Sequence, residues 1–263
     1  MSSSAPQTPR TVRIVRRHHL LVRLAHWANV PLLLGLIASG LSIHWAAPVF
    51  THAVDPVTGS RDLVGDLSVA LARLTGDTSG APRDWIVQHL GLGTFSLASA
   101  LRLHWLLVYL FMLNGALYLI GLWLGGGWRA LAPRRGDGDE AARMARHYLG
   151  VLPALVRRRP HPHPQVRGPY NALQRGAYLV VLLTGVLEVA SGWAMHKPAS
   201  LGWLERMFGD YDGARVVHFV GMVVLGGFIV PHVVLVAADG FDTFRSMVTG
   251  WSARVKEDGH GQA

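Results

Sequence analysis

The run Val216-Val217-His218-Phe219-Val220-Gly221-Met222-Val223-Val224-Leu225-Gly226-Gly227-Phe228-Ile229-Val230-Pro231-His232-Val233-Val234-Leu235-Val236-Ala237-Ala238 contains no Asp, Glu, Lys or Arg. At 1.5 Å per residue a helix of this length spans the roughly 30 Å of a hydrocarbon core. Two ionisable side chains nonetheless sit inside it, His218 and His232. Their 14-residue separation is about 21 Å along the axis, and fourteen steps of about 100° return to within about 40° of the starting direction, so both imidazoles share one face. A histidine in a membrane helix is rare enough to suggest function, and two on one face at two depths set the question for the whole chain.

Three further stretches are almost as free of charge, about residues 20–43, 101–124 and 173–195. With 216–238 they make four spans, which assigns the 263 residues to one all-α integral-membrane four-helix bundle, residues 1–263, with no room for a separate soluble enzyme domain. The composition agrees, since 16% of residues are charged, against roughly a quarter in soluble domains. The first span is too long for the apolar core of a signal peptide and carries His26 and Asn29, so it is expected to be retained as a helix.

The net charge of +9 is distributed unevenly. Residues 1–23 carry five arginines and no acid, and the 125–172 loop carries nine arginines against Asp137, Asp139 and Glu140. The 44–100 and 196–213 loops lean acidic. The positive-inside rule therefore makes both termini and the 125–172 loop cytoplasmic and turns the 44–100 loop outward. The basic balance reports orientation and contact with anionic lipid, and no nucleic-acid partner is expected from it.

Two other spans carry histidines, His26 on the first and His104 on the second. In the topology just derived, His26 lies near the inner face at the depth of His232, and His104 lies near the outer face at the depth of His218. The absence of cysteine excludes thiolate-held clusters, cysteine zinc sites and covalent haem attachment. Two bis-histidine sites about 20 Å apart in a four-helix bundle suit two b haems, the outer held by His104 and His218 and the inner by His26 and His232. Arg23, Arg102 and Arg215 lie within three residues of a ligand, where a haem propionate needs a cation, although snorkelling to headgroups explains each singly. A histidine-lined transporter is the rival from another class, and a purely structural anchor does not account for the matched depths.

Outside these pairs, His44, His89 and His196 are expected to be solvated near the outer face, and Glu188 to make a structural hydrogen bond. Six tryptophans at span ends, Trp27, Trp45, Trp105, Trp123, Trp193 and Trp203, are expected to be interfacial anchors. Residues 1–12 read as disordered. Short interfacial helices are expected at 66–74 and 85–92, an amphipathic helix at 140–156, and a stiff proline-rich spacer at 157–164.

The stretch Val22-Arg23-Leu24-Ala25-His26-Trp27 resembles the cytochrome b subunits of the nickel–iron hydrogenase, formate dehydrogenase gamma and thiosulfate reductase group. So do Leu103-His104-Trp105 with Leu113-Asn114-Gly115, Tyr170-Asn171-Ala172-Leu173-Gln174 and residues 209–232. The thiosulfate-reductase-type proteins are the nearest in likeness, through Arg215-Val216-Val217-His218-Phe219 and Arg245-Ser246-Met247-Val248-Thr249-Gly250. The hydrogenase branch has a segment similar to residues 203–209.

The resemblance implies a dihaem membrane subunit that passes electrons between quinone and a metal-containing oxidoreductase outside a bacterial cytoplasmic (inner) membrane. In this branch that partner is often a molybdopterin protein of the sulfite-oxidase kind, with a hydrogenase or formate dehydrogenase as the alternative. Such a subunit is the electron-transfer part of an oxidoreductase and not a catalyst alone. The resemblance further implies that Asn171 and Gln174 line a quinone pocket near the inner haem. The formate dehydrogenase branch has glycine where this chain has Leu173.

Overall fold

The structure is a computed structural model that describes residues 12–46, 89–92, 97–157, 170–239 and 241–255. Four long helices occupy the four apolar stretches: α1 (Leu20–Ala46), α2 (Leu97–Leu124), α5 (Ala172–His196) and α7 (Tyr211–Asp239). All four are long and apolar enough to cross a membrane. Their side chains are distributed as hydrocarbon requires. Leu113, Val186 and Val234 point outward at 60%, 64% and 60% exposure, while Ser39, Ser42, Asn114, Thr184 and Ser191 are buried. A water-soluble bundle would place these residues the other way round, whereas a membrane bundle turns its few polar groups inward to find partners.

The bundle is built from two helix pairs, α1 with α2 and α5 with α7. In the first pair, Gly121 lets the backbones approach: a Cβ there would lie 2.7 Å from Leu21 Cβ and 3.0 Å from the Val22 nitrogen. About two turns away, Asn114 donates to the Ala25 carbonyl at 2.9 Å and to Asn29 Oδ1 at 2.8 Å. Both devices fix α2 against the part of α1 that carries His26. Between the pairs, Trp105 packs edge-on to Trp193 at 5.4 Å and over His196 at 3.9 Å, so α2 meets α5 at the end of the bundle where α2 begins.

The short helix α3 (Trp128–Leu131) follows the glycine-rich exit of α2, and α6 (Gly202–Met207) fills the turn between α5 and α7. The amphipathic helix α4 runs Asp137–Val156, three residues longer at its start than expected, because Asp137 and Asp139 join Glu140 in an acidic first turn. It docks on the start of α5 through Arg175, which is 2% exposed and ion-paired with Asp137 and, at 3.7 Å, with Glu140. Glu140 also accepts from the Ala172 amide at 3.0 Å.

Two strands that the sequence reading leaves out close the same end. β1 (Val12–Arg16) pairs antiparallel with β2 (Trp251–Val255), Val12 opposite Val255 and Arg16 opposite Trp251. Helix α8 (Phe241–Thr249) leads into β2, and Arg23 and Trp27 of α1 donate to the Val248 and Met247 carbonyls. Both chain ends are thus clasped beside the start of α1, in keeping with four crossings. The helix expected at 66–74 lies outside the described residues, as do residues 85–88 of the helix expected at 85–92, the spacer expected at 157–164 beyond Arg157, and all of the segment 1–12 expected to be disordered except Val12, which begins β1.

Two outcomes follow. Gly121→Ala places a methyl against the α1 backbone and is expected to cost about 1–3 kcal/mol, read as a lowered thermal midpoint in detergent. Gly115→Ala, where nothing lies within 4 Å, is expected to be neutral or slightly stabilising. The Arg175 guanidinium hydrogen-bonded to Asp137 holds that carboxyl below the usual aspartate range. Its contribution to docking α4 is therefore present at neutral pH and lost only as pH falls through that depressed range. Amide exchange in residues 137–150 is expected to stay slow at pH 5 and to accelerate below about pH 4. Release of α4 between pH 5 and 7 would contradict the pairing.

Candidate functional site

The fold brings the four membrane histidines together in two pairs. Rings of His104 on α2 and His218 on α7 face each other with centroids 6.2 Å apart and planes at 63°. Rings of His26 on α1 and His232 on α7 do the same at 6.0 Å and 65°. An imidazole nitrogen bonds a transition metal at about 2 Å. Adding the half-width of two rings, about 1 Å each, leaves each pair at a spacing that admits one metal ion between the near nitrogens. Among the described residues no cluster of three or more His, Asp or Glu is arranged to hold a metal. Two ligands from the protein suit a macrocycle that supplies the remaining in-plane donors itself, so the donor set fits haem.

Local sequence sets these positions. Pro231 immediately precedes His232 and brings no N–H, leaving the Gly227 carbonyl without its helical donor one turn before the ligand. Phe228 stacks on the His232 ring at 5.2 Å and 23°. Trp105, next to His104, faces α5 and so turns His104 toward the interior. At the His104–His218 pair, His218 Nδ1 has three neighbours at 3.1 Å: Ser191 Oγ, the Glu188 carbonyl and Glu188 Oε2. His104 Nδ1 lies 2.9 Å from Ser39 Oγ. Glu188 Oε2 is thus one of three candidate acceptors for the His218 Nδ1 hydrogen, while Glu188 Oε1 is buried with no partner among the described residues. Gly221 makes room for the carboxyl, since a Cβ there would collide with it. Ser39 and Ser191 escaped the sequence reading.

Of the histidines expected to be solvated, His89 and His196 are exposed, His196 also packing on Trp105 at 3.9 Å, whereas His44 is half-buried against Phe219 at 5.5 Å. Among the arginines, Arg215 pairs with Asp212 at 3.0 Å and Arg102 is exposed near the start of α2. Arg23 donates to Val248 and keeps its Nε buried with no partner among the described residues, as does Arg17. These two orphaned donors lie at the end of the bundle that carries the His26 pair. His18 stands between them; burial and the neighbouring Arg17 and Arg23 push it down to about 4, so it adds no third charge at neutral pH.

Asn171 and Gln174 form a capping box at the start of α5. Asn171 Oδ1 accepts from the Gln174 amide at 2.8 Å, Gln174 Oε1 accepts from the Asn171 amide at 3.1 Å, and Asn171 Nδ2 donates to the Tyr148 hydroxyl at 3.0 Å. Three of the four side-chain polar atoms are thereby engaged in structure, leaving Gln174 Nε2 without an acceptor among the described residues. Beside the cap opens an apolar groove of about 360 Å³, walled by Leu173, Gly176, Ala177 and Val180 of α5 and by Val224 and Phe228 of α7. Phe228 links it to the inner histidine pair.

Four apolar helices, facing histidine pairs and no cysteine are the marks of a membrane b-type cytochrome. Residues 17–250 match the model of the prokaryotic cytochrome b561 family, and the chain belongs to that family of haem b-binding, helical-bundle electron-transfer proteins. It is also similar to the "Putative protein-methionine-sulfoxide reductase subunit YedZ1" of Azospira oryzae, 27% identical over 221 residues that cover 84% of this chain and 89% of the relative. No solved structure matches the chain.

Proposed function

We propose that the chain, as one membrane domain, is the dihaem quinone-reactive subunit of an oxidoreductase whose substrate chemistry takes place on a partner at the outer face. The observation that carries this reading is the pair of facing imidazole couples, 6.2 and 6.0 Å between centroids, that one helix spaces fourteen residues apart. His104 and His218 would hold the outer haem, His26 and His232 the inner. Bound haem supplies one-electron exchange between ferric and ferrous iron at two depths of the membrane. The protein fixes the ligand nitrogens, excludes water with Leu and Val, and meets propionates with cations. Arg17 and Arg23, with buried unpartnered Nε atoms, suit the inner pair better than Arg102 and Arg215 suit the outer.

Quinone exchange is assigned to the inner end. The groove against Phe228 has an apolar wall suited to a quinone ring and tail, and Gln174, next in sequence to the groove residue Leu173, would offer its Nε2 as a donor for a quinone carbonyl. Asn171 acts on this site only by holding the cap. With basic segments inside, both termini and the 125–172 loop face the cytoplasm of a bacterial inner membrane. The 44–100 loop then faces outward, and its acidic lean favours a basic patch on the partner. The similarity to a protein named as a "putative protein-methionine-sulfoxide reductase subunit" supports a reductase partner, with electrons running from quinol outward; that this partner is of the molybdopterin sulfite-oxidase kind is what the family resemblance implies.

Quinol-driven haem reduction tests the assignment. Ala177→Phe, which fills the groove, and Gln174→Leu are expected to slow it at least severalfold while haem content and reduction by dithionite stay unchanged. Asn171→Ala is expected to cost about 1 kcal/mol of stability through loss of the cap. Normal quinol kinetics in both groove variants would remove the site from this end of the bundle.

A further inference from the structure

Ser39 and Ser191 are both 0% exposed, on α1 and α5, the two helices that carry no ligand of the outer pair. Each hydroxyl has one hydrogen and donates it to the carbonyl four residues back: Ser39 to Gly35 at 2.7 Å, Ser191 to Leu187 at 2.6 Å. The oxygen that remains can only accept, and it faces a ring nitrogen, His104 Nδ1 at 2.9 Å and His218 Nδ1 at 3.1 Å. Both Nδ1 atoms therefore carry the hydrogen, and both Nε2 lone pairs are left for a metal.

The likeness extends to neighbouring residues. The carbonyl three residues before each serine, Leu36 or Glu188, lies 3.1 or 3.2 Å from its Oγ. The next residue is glycine in both places: a Cβ at Gly40 would lie 3.7 Å from His104 Cε1, and one at Gly192 would lie 3.4 Å from His218 Cε1. A Ser-Gly pair thus cradles each outer imidazole. The inner pair has no such support, since neither His26 nor His232 has a ring hydrogen bond to any described residue.

We infer that Ser39 and Ser191 are positioning residues that lock the outer histidines in the Nε2-ligating tautomer, and by accepting from Nδ1–H lower the outer haem's midpoint potential relative to the inner. An acceptor on the far nitrogen makes the ligand a stronger donor, which favours the ferric state. The two cradles differ at one place. Where α1 has Leu36, α5 has Glu188, whose Oε2 gives His218 Nδ1 an additional acceptor at 3.1 Å. His104 depends more heavily on its serine than His218 does.

This inference rests on the bis-histidine reading above. The test is a redox titration of the full-length protein, following each haem by its α-band and electron paramagnetic resonance signal. Ser39→Ala is expected to raise the reduced-to-oxidised ratio of the outer haem about threefold at fixed ambient potential, ~28 mV at ~59 mV per decade for a one-electron couple. Ser191→Ala is expected to give a smaller rise of the same sign, and the inner haem should not move in either. Replacing Ser by Ala removes an oxygen and adds no volume, and an unshifted inner haem reports an intact bundle. Selective loss of the outer haem would also support the positioning role. An unchanged outer potential in both variants, or equal shifts of both haems, would overturn it. Failure of the underlying reading looks different: one haem in the unmodified protein, or a shift confined to the haem that His26→Ala removes.

Discussion

An imidazole inside hydrocarbon has no water to bond, so a ring nitrogen there can find its partner only in protein or ligand. That constraint, imposed four times, organises the bundle. α7 presents His218 and His232 to one interior face, and the other helices are placed by what the two rings need opposite them: α2 brings His104 and α1 brings His26. The close α1–α2 approach at Gly121, the Asn114 bonds to α1 and the Trp105 cluster on α5 all hold partners of that face in position.

The two ends of the bundle meet the constraint differently. The outer rings are bonded on their far nitrogens by serines whose own hydrogens are already committed. The inner rings are held by packing, with Phe228 stacked on His232 and a strand clasp beside the start of α1. Charge follows the same division. Unpartnered guanidinium nitrogens of Arg17 and Arg23 lie at the inner end, and the Glu188 carboxyl lies beside the outer pair. Cations near a redox centre favour its reduced form and acceptors on its ligands favour the oxidised one, so in the proposed dihaem arrangement both features would act in the same direction on the potential difference.

Most of this arrangement was legible in the sequence. The helix period and the 1.5 Å rise convert positions 26, 104, 218 and 232 into two depths as soon as the spans are recognised, and the structure pairs the rings as those depths require. The Ser-Gly cradles were not legible, because a serine in an apolar helix reads the same whether it faces lipid, a neighbouring helix or a ring. Only the packing of α1 on α2 and of α5 on α7 distinguishes these cases. Asn171 and Gln174 carried a readable signal for the role they adopt, since Asn followed three residues later by Gln before an apolar run is a capping-box pattern. The strands were missed because β1, Val-Arg-Ile-Val-Arg, is five residues long and does not alternate, and its partner lies at the other end of the chain.

The central claim is that two histidine pairs hold two haems at different depths. Haem content and the low-temperature α-band of the four single His→Ala variants, in the full-length protein, test it most directly. Two haems per chain in the unmodified protein, with His104→Ala and His218→Ala losing one band and His26→Ala and His232→Ala losing the other, is the predicted result. A single haem, or common loss of one band by His104→Ala and His232→Ala, would contradict it.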